Sequence, residues 1–185
     1  GLFLDKAHGE EVRRFAAAYR SLPAHKLETV GPTTDPVAVR QGPDGDRHCF
    51  YLVNREYYEV RVVVRFSREP GAVRDLATGE ELAAARSLAL TLGPYELRSL
   101  SAPAAIAVTG FVATPAEDIA RALRAEAAEV LAALAAVQDR GTFVPGAAEL
   151  AAELPQALAA GRLAWVRRAL SSYAVQRSRQ VAGTH

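Results

Sequence analysis

The stretch His48–Phe66, HCFYLVNREYYEVRVVVRF, restricts what this chain can fold into more than any other. It is the longest run rich in aromatic and β-branched residues, the types that fit a pleated, half-buried surface. In its second half Tyr58, Val60, Val62, Val64 and Phe66 alternate with Glu59, Arg61 and Arg65. A period of two puts one set in a core and the other in water, which is the pattern of a strand. His48–Val53 reads as a second strand, with Asn54-Arg55-Glu56 turning the chain between the two. The expectation is a long antiparallel hairpin. An isolated hairpin is marginal in water, so a larger sheet must surround it.

The flanking sequence supplies that sheet. Pro36–Gln41, Ala72–Leu76, Arg86–Leu92, Tyr95–Leu100 and Ala105–Val112 read as further short strands. Between them stand Gly42-Pro43-Asp44-Gly45-Asp46, Arg68–Gly71, Ala77-Thr78-Gly79-Glu80 and Gly93-Pro94, each with turn chemistry. About eight short strands with regular turn signals predict a β-sandwich. No helix-length pattern separates them, so the sheets are expected to be antiparallel.

Helical periodicity appears on both sides of this block. Gly1–Asp5 looks like the end of a strand, and Asp5 can cap a helix that starts near Lys6. Val12, Phe15, Ala16 and Tyr19 form one apolar face of that helix, which Pro23 ends. The face needs a partner: either the β domain that follows, or the rest of a sheet encoded upstream. Ala24–Asp35 reads as a linker.

After the strands, Thr114-Pro115-Ala116-Glu117 has the form of a capping box, with Thr114 as the cap and Pro115 first in the helix. Ile119, Leu123, Ala127, Val130, Leu131, Leu134 and Val137 then line one helix face. A short helix at Ala147–Leu154 is expected, with a break at Pro155 beyond which Gln156–Ala160 can continue it, and a last one runs from Leu163 to about Arg177. The predicted fold is mainly β plus α: an antiparallel β-sandwich with an N-terminal helix and a C-terminal helical appendix. Its segments are 1–35, 36–113 and 114–185.

Composition narrows the function classes. Lys and Arg number 22 against 21 Asp and Glu, so no global field recruits nucleic acid or a membrane surface. No segment reaches the roughly 18 apolar residues of a membrane-spanning helix. Cys49 is the only cysteine, which rules out an internal disulfide and a cysteine-based metal site. Its place in a strand predicts a buried, inert thiol. The histidines lack metal-ligand spacing, so neither a metal nor another cofactor is expected. The chain has no methionine, which fits an internal or C-terminal fragment.

The candidate sites are few. Tyr57 and Tyr51 could stack flat on sugar rings, and Tyr57 falls on the outer side near the predicted turn; the alternative for both is ordinary sheet packing. Asp5, Lys6 and His8 would sit on a barrel rim if Gly1–Asp5 were a barrel strand; otherwise they are a cap and a solvated first turn. Acid pairs such as Glu10-Glu11, Glu80-Glu81 and Glu117-Asp118 are adjacent in sequence and give no facing carboxylates. No catalytic residue is assigned.

The order of motifs from PVAVRQ through CFYLVNREYYEVRVVVRF and VRDLATGEEL to LALTLGPYELRSL resembles the C-terminal β-sandwich that follows the (β/α)₈ barrel in many bacterial glycoside hydrolases. The resemblance rests on Val53-Asn54 before a Val-rich strand, on Asp75, Thr78 and Gly79, and on Leu92, Pro94, Tyr95, Arg98 and Ser99. It covers roughly 36–100, and GLFLDKAHGEEVRRFAAAYRSLP is similar to a last barrel strand and helix. It implies a bacterial protein whose barrel hydrolyses glycosidic bonds with carboxylates located upstream, and an accessory sandwich that is inert alone. The implied partners are that upstream barrel and, in the alternative reading, carbohydrate. A structural unit that self-associates through Ala-rich helices is a third reading. The compartment stays open, with the secreted or periplasmic space as one option.

Overall fold

The computed structural model describes residues 6–31 and 36–183. The chain divides into two compact units that meet in sequence at Pro115 and Ala116.

The first unit holds helix α1 (Lys6–Arg20) and nine strands. These are β1 (Glu28–Val30), β2 (Val37–Asp44), β3 (Arg47–Asn54), β4 (Val60–Phe66), β5 (Gly71–Asp75), β6 (Glu81–Ala84), β7 (Ser87–Leu92), β8 (Leu97–Pro103) and β9 (Val108–Pro115). Two antiparallel sheets form. One has the order β1-β2-β3-β8-β5-β6 and the other β7-β4-β9. The fold is therefore an antiparallel sandwich with helices, as the alternation and turn spacing predict.

The central hairpin does not form. β3 pairs with β2 and β8, and β4 pairs with β7 and β9, so the two consecutive strands lie in different sheets. The reason is that both are apolar on one face and bury that face against each other. Phe50 and Leu52 on β3 oppose Val60, Val62, Val64 and Phe66 on β4, all buried. Phe50 meets Phe66 edge-on, with ring centroids 5.7 Å apart. Burying each such side chain is worth roughly 1.5–3 kcal/mol relative to leaving it in water. A hairpin would place these faces side by side and leave both open.

Part of the predicted linker is also a strand. β1 pairs with β2, Val30 opposite Val39, and closes that sheet edge. Across the interior Gln41 joins the sheets: its amide nitrogen donates to the carbonyl of Val108 at 2.9 Å, and its oxygen accepts the Val108 N–H at 2.7 Å. The same oxygen lies 2.9 Å from Nε2 of His48. Burial holds the His48 imidazole below its ordinary pKa, so the ring is neutral and donates from Nε2.

α1 lies against β8, with Ala18 buried and the hydroxyl of Ser21 2.5 Å from that of Ser99. Its apolar face is not what docks. Val12, Phe15 and Tyr19 are 53%, 43% and 65% exposed, and the rings of Phe15 and Tyr19 stack on one another at 6.4 Å. At 100° per residue these three point away from the side that carries Ala18 and Ser21.

The second unit contains α2 (Glu117–Asp139), α3 (Ala147–Ala159), α4 (Leu163–Leu170) and α5 (Tyr173–Gly183). Its core is Leu123, Val130, Leu134 and Val137 of α2 with Leu154, Val166 and Val175. Arg179 pairs with Glu126 at 3.0 Å, and Arg140 donates to the carbonyl of Val181 at 2.6 Å, tying α5 to α2.

The capping box does not form: the cap position is Ala116, without a side-chain bond. Thr114 and Pro115 are held in β9 by pairing with Arg61 and Val60, and that pairing keeps them extended. Pro155 does not break α3 but sits inside it, because Leu154 and Ala157 on either side share the buried face. The last predicted helix is two. The hydroxyl of Ser171 bonds the carbonyl of Arg168 at 2.9 Å, and that of Ser172 accepts the N–H of Val175 at 3.4 Å, so serines end one helix and start the next.

Candidate functional site

The crossing from β3 to β4 is organised by one side chain. Asn54 is fully buried. Its amide nitrogen donates to the carbonyls of Tyr58 at 2.7 Å and Gly93 at 2.8 Å, and its oxygen accepts the N–H of Glu56 at 3.0 Å. Its own N–H bonds the carbonyl of Glu96 at 2.9 Å, and the N–H of Arg55 reaches that of Pro36 at 2.9 Å. An amide donates twice and accepts at once from a group of this size, which accounts for asparagine here.

A second knot joins the turn after β5 to β8. Asp75 is buried. One carboxylate oxygen accepts the N–H groups of Ala77 and Thr78, at 2.9 and 3.1 Å. The other meets Nε and Nη2 of Arg98, both at 2.9 Å. Gly79 completes the turn at φ +79°, where a side chain would be strained. Glu96 also lies 3.7 Å from Arg98 and accepts the N–H of Gly93 at 2.8 Å. Asp75 and Glu96 are thus committed to one guanidinium and to the backbone, not presented as a facing acid pair. The motif residues Asn54, Asp75, Gly79 and Arg98 hold the sandwich together.

The tyrosines separate. Tyr57 sits at the tip of the β3–β4 crossing, 51% exposed, its ring edge-on to buried Tyr58 at 5.2 Å. Beside it, Tyr95 is 59% exposed, and its N–H donates to the carbonyl of Glu56 at 3.1 Å. Tyr95 has φ +55°, the one positive φ outside glycine among the described residues. Tyr51 is elsewhere: half-buried on β3, across from Arg40 on β2 and Ser99 on β8. Asp5 and the side chains of Lys6 and His8 lie outside the described residues.

Cys49 is buried, and its thiol points to a carboxylate oxygen of Asp44 at 3.6 Å. Burial first, and then Asp44, push its pKa up to about 11. A thiol so raised is not a nucleophile at neutral pH. Among the described residues no group of three or more His, Cys, Asp or Glu could hold a metal ion, and no helix is long and apolar enough to cross a membrane.

Tyr51 forms part of a cleft of about 450 Å³. Arg40 stands beside it on the sheet, Tyr19 and Arg20 come from the end of α1, and His25 and Lys26 come from the segment that leads to β1. Apart from Tyr51, none of these is a candidate site residue on the sequence pattern. The readable signal was Tyr19-Arg20 followed closely by His25-Lys26, which holds one of only two lysines. Arg40 falls on the outward side of β2's alternation, but nothing local marks it as facing that segment.

No protein-family model matches the chain, and no curated protein does either. Among solved structures it is similar to part of a candidate alpha-galactosidase/melibiase from Bacteroides fragilis, at 19% identity and TM-score 0.33, over 45% of this chain and 17% of that one. It is also similar to part of a GH42 beta-galactosidase from G. stearothermophilus, at 18% identity and TM-score 0.29, over 53% of this chain and 12% of that one. The chain spans less than a fifth of the length of either glycosidase.

Proposed function

We propose that this chain is the C-terminal, non-catalytic part of a glycosidase-like protein, in which the sandwich braces an upstream barrel that hydrolyses glycosidic bonds. One observation carries the reading. The apolar face of α1, with Val12, Phe15 and Tyr19, points away from the sheet that α1 rests on. An amphipathic helix normally buries that face, so a surface outside the described residues is its natural cover. A last barrel helix has this need: its apolar side packs on barrel strands and its other side is free to carry a following domain. The motif order from Val53-Asn54 to Arg98-Ser99 agrees with such a sandwich.

The test compares this chain with a longer one that includes the residues upstream. A Tyr19→Cys substitution should react quickly with a thiol reagent here and slowly in the longer chain, against a background in which Cys49 is silent. Equal labelling of the two would overturn the reading, as would turnover of aryl glycosides by this chain alone. A second reading, carbohydrate held on the sandwich itself, is favoured by the two exposed rings of Tyr57 and Tyr95 at the sheet crossing.

A further inference from the structure

We infer that the cleft between the end of α1 and the sheet binds an anionic saccharide, a sugar ring that carries a carboxylate or a sulfate. The choice of a sugar rests on the glycosidase reading above; the choice of an anion rests on the cleft alone.

The charge is the first ground. Arg20, Lys26 and Arg40 converge on one cleft, and no Asp or Glu lines it. Among the described residues none of the three has a carboxylate partner. Cations held near one another repel, and an anion placed between them removes that cost while gaining charge-assisted hydrogen bonds. The C-terminal end of α1 opposes this with a partial negative charge of about half a unit. Arg20 in its last turn offsets that, and two full charges remain.

Shape and an aromatic ring are the second ground. The cleft, about 450 Å³, falls within the range of small-molecule sites. Tyr51 rises from the sheet and gives the cleft an aromatic ring. Leu22, Pro23 and Leu27 add apolar surface. At Gly42, beside this segment, an added Cβ would come within 2.7 Å of Leu27, so the segment is seated closely on β2. A sugar ring has an apolar C–H face for Tyr51 and, when acidic, a charge for Arg20, Lys26 and Arg40. Inorganic phosphate alone would leave that ring unused.

The experiment is calorimetric titration of this chain with an acidic oligosaccharide (oligogalacturonate or a sulfated disaccharide), a neutral galacto-oligosaccharide, inorganic phosphate and a short single-stranded oligonucleotide. The acidic saccharide should bind most tightly and weaken as salt is raised. Arg40→Ala and Lys26→Ala should each weaken it about tenfold, the loss of one charge-assisted contact, and their melting temperatures should match the parent because both sites are exposed. Tyr51→Leu should weaken the saccharide but not phosphate. Equal binding of the neutral sugar, phosphate as tight as the saccharide, a preference for the oligonucleotide, or no effect of Arg40→Ala would each overturn the inference. None of these results bears on whether Tyr19 is covered in a longer chain, so the two readings fail separately.

Discussion

Asp75 and Arg98 meet through two contacts of 2.9 Å, to Nε and to Nη2 of the guanidinium. Asp75 ends β5 and Arg98 lies in β8, so a turn is clasped to the strand beside it. The carboxylate is the more deeply buried partner, at 2% side-chain exposure against 26% for the arginine. Removing the arginine leaves a buried charge without its cation. Arg98→Ala should therefore cost about 3 kcal/mol, read as a shift of the urea midpoint. Replacing both together by Asn and Leu should recover part of that loss.

Asn54→Asp changes one donor into an acceptor. The new carboxylate would face the carbonyls of Tyr58 and Gly93, which now accept from the amide. Like poles and burial would raise its folded pKa above the unfolded value. A raised carboxylate pKa makes the protein more stable in acid and less stable as pH rises through that range. The variant should thus be strongly destabilised at pH 7 and partly recovered near pH 4. Asn54→Ala should lose about 2–4 kcal/mol without that recovery, and denaturant titration at the two pH values separates them.

Cys49 should resist thiol reagents at pH 8 unless the protein unfolds, since its pKa is about 11. The sign of the linkage is fixed by that shift. The folded pKa lies above the unfolded one, so the contribution to stability is present below pH 9 and is lost as pH rises toward 11. The loss is on the order of 2 kcal/mol. Cys49→Ala should show a flatter decline across that window than the parent, measured by urea midpoints at each pH.

Tyr95 holds a left-handed backbone at φ +55°, a conformation that costs a bulky residue about 1 kcal/mol. Tyr95→Asn should raise the melting temperature slightly, because asparagine tolerates that region. If the exposed ring contributes to binding at the sheet crossing, the same variant loses that binding while gaining stability, and titration with neutral oligosaccharides measures the change.

The strand pattern was legible because the alternation in β4 and β7 reports a one-sided core directly. The partner of each strand was not. Asn54-Arg55-Glu56 looks like turn chemistry whether the chain reverses within a sheet or crosses to another. The absence of an Asn-Gly or Asp-Gly pair was the available hint against a tight hairpin. Thr114-Pro115 carried a strong local helix-start signal, and strand pairing with Val60 and Arg61 overrode it. The cleft cations were illegible for a different reason: Arg40 and Lys26 become neighbours only through the return of the chain along β1.

The crossing from β3 to β4 has a consequence for the order in which the chain can assemble. β4 finds no hydrogen-bond partner in the strand before it, and its ladder must wait for β7 and β9, with Val60 finally opposite Pro115. During synthesis the apolar face of β4 is thus exposed until β7 has emerged, with both edges of the strand open. Long-range pairings of this kind fold slowly and invite misassembly. Arg61 and Arg65 stand on its outward face, and charge on an unpaired strand is what discourages another copy from joining it. These arginines act as guards on a nascent chain before they belong to a finished sheet.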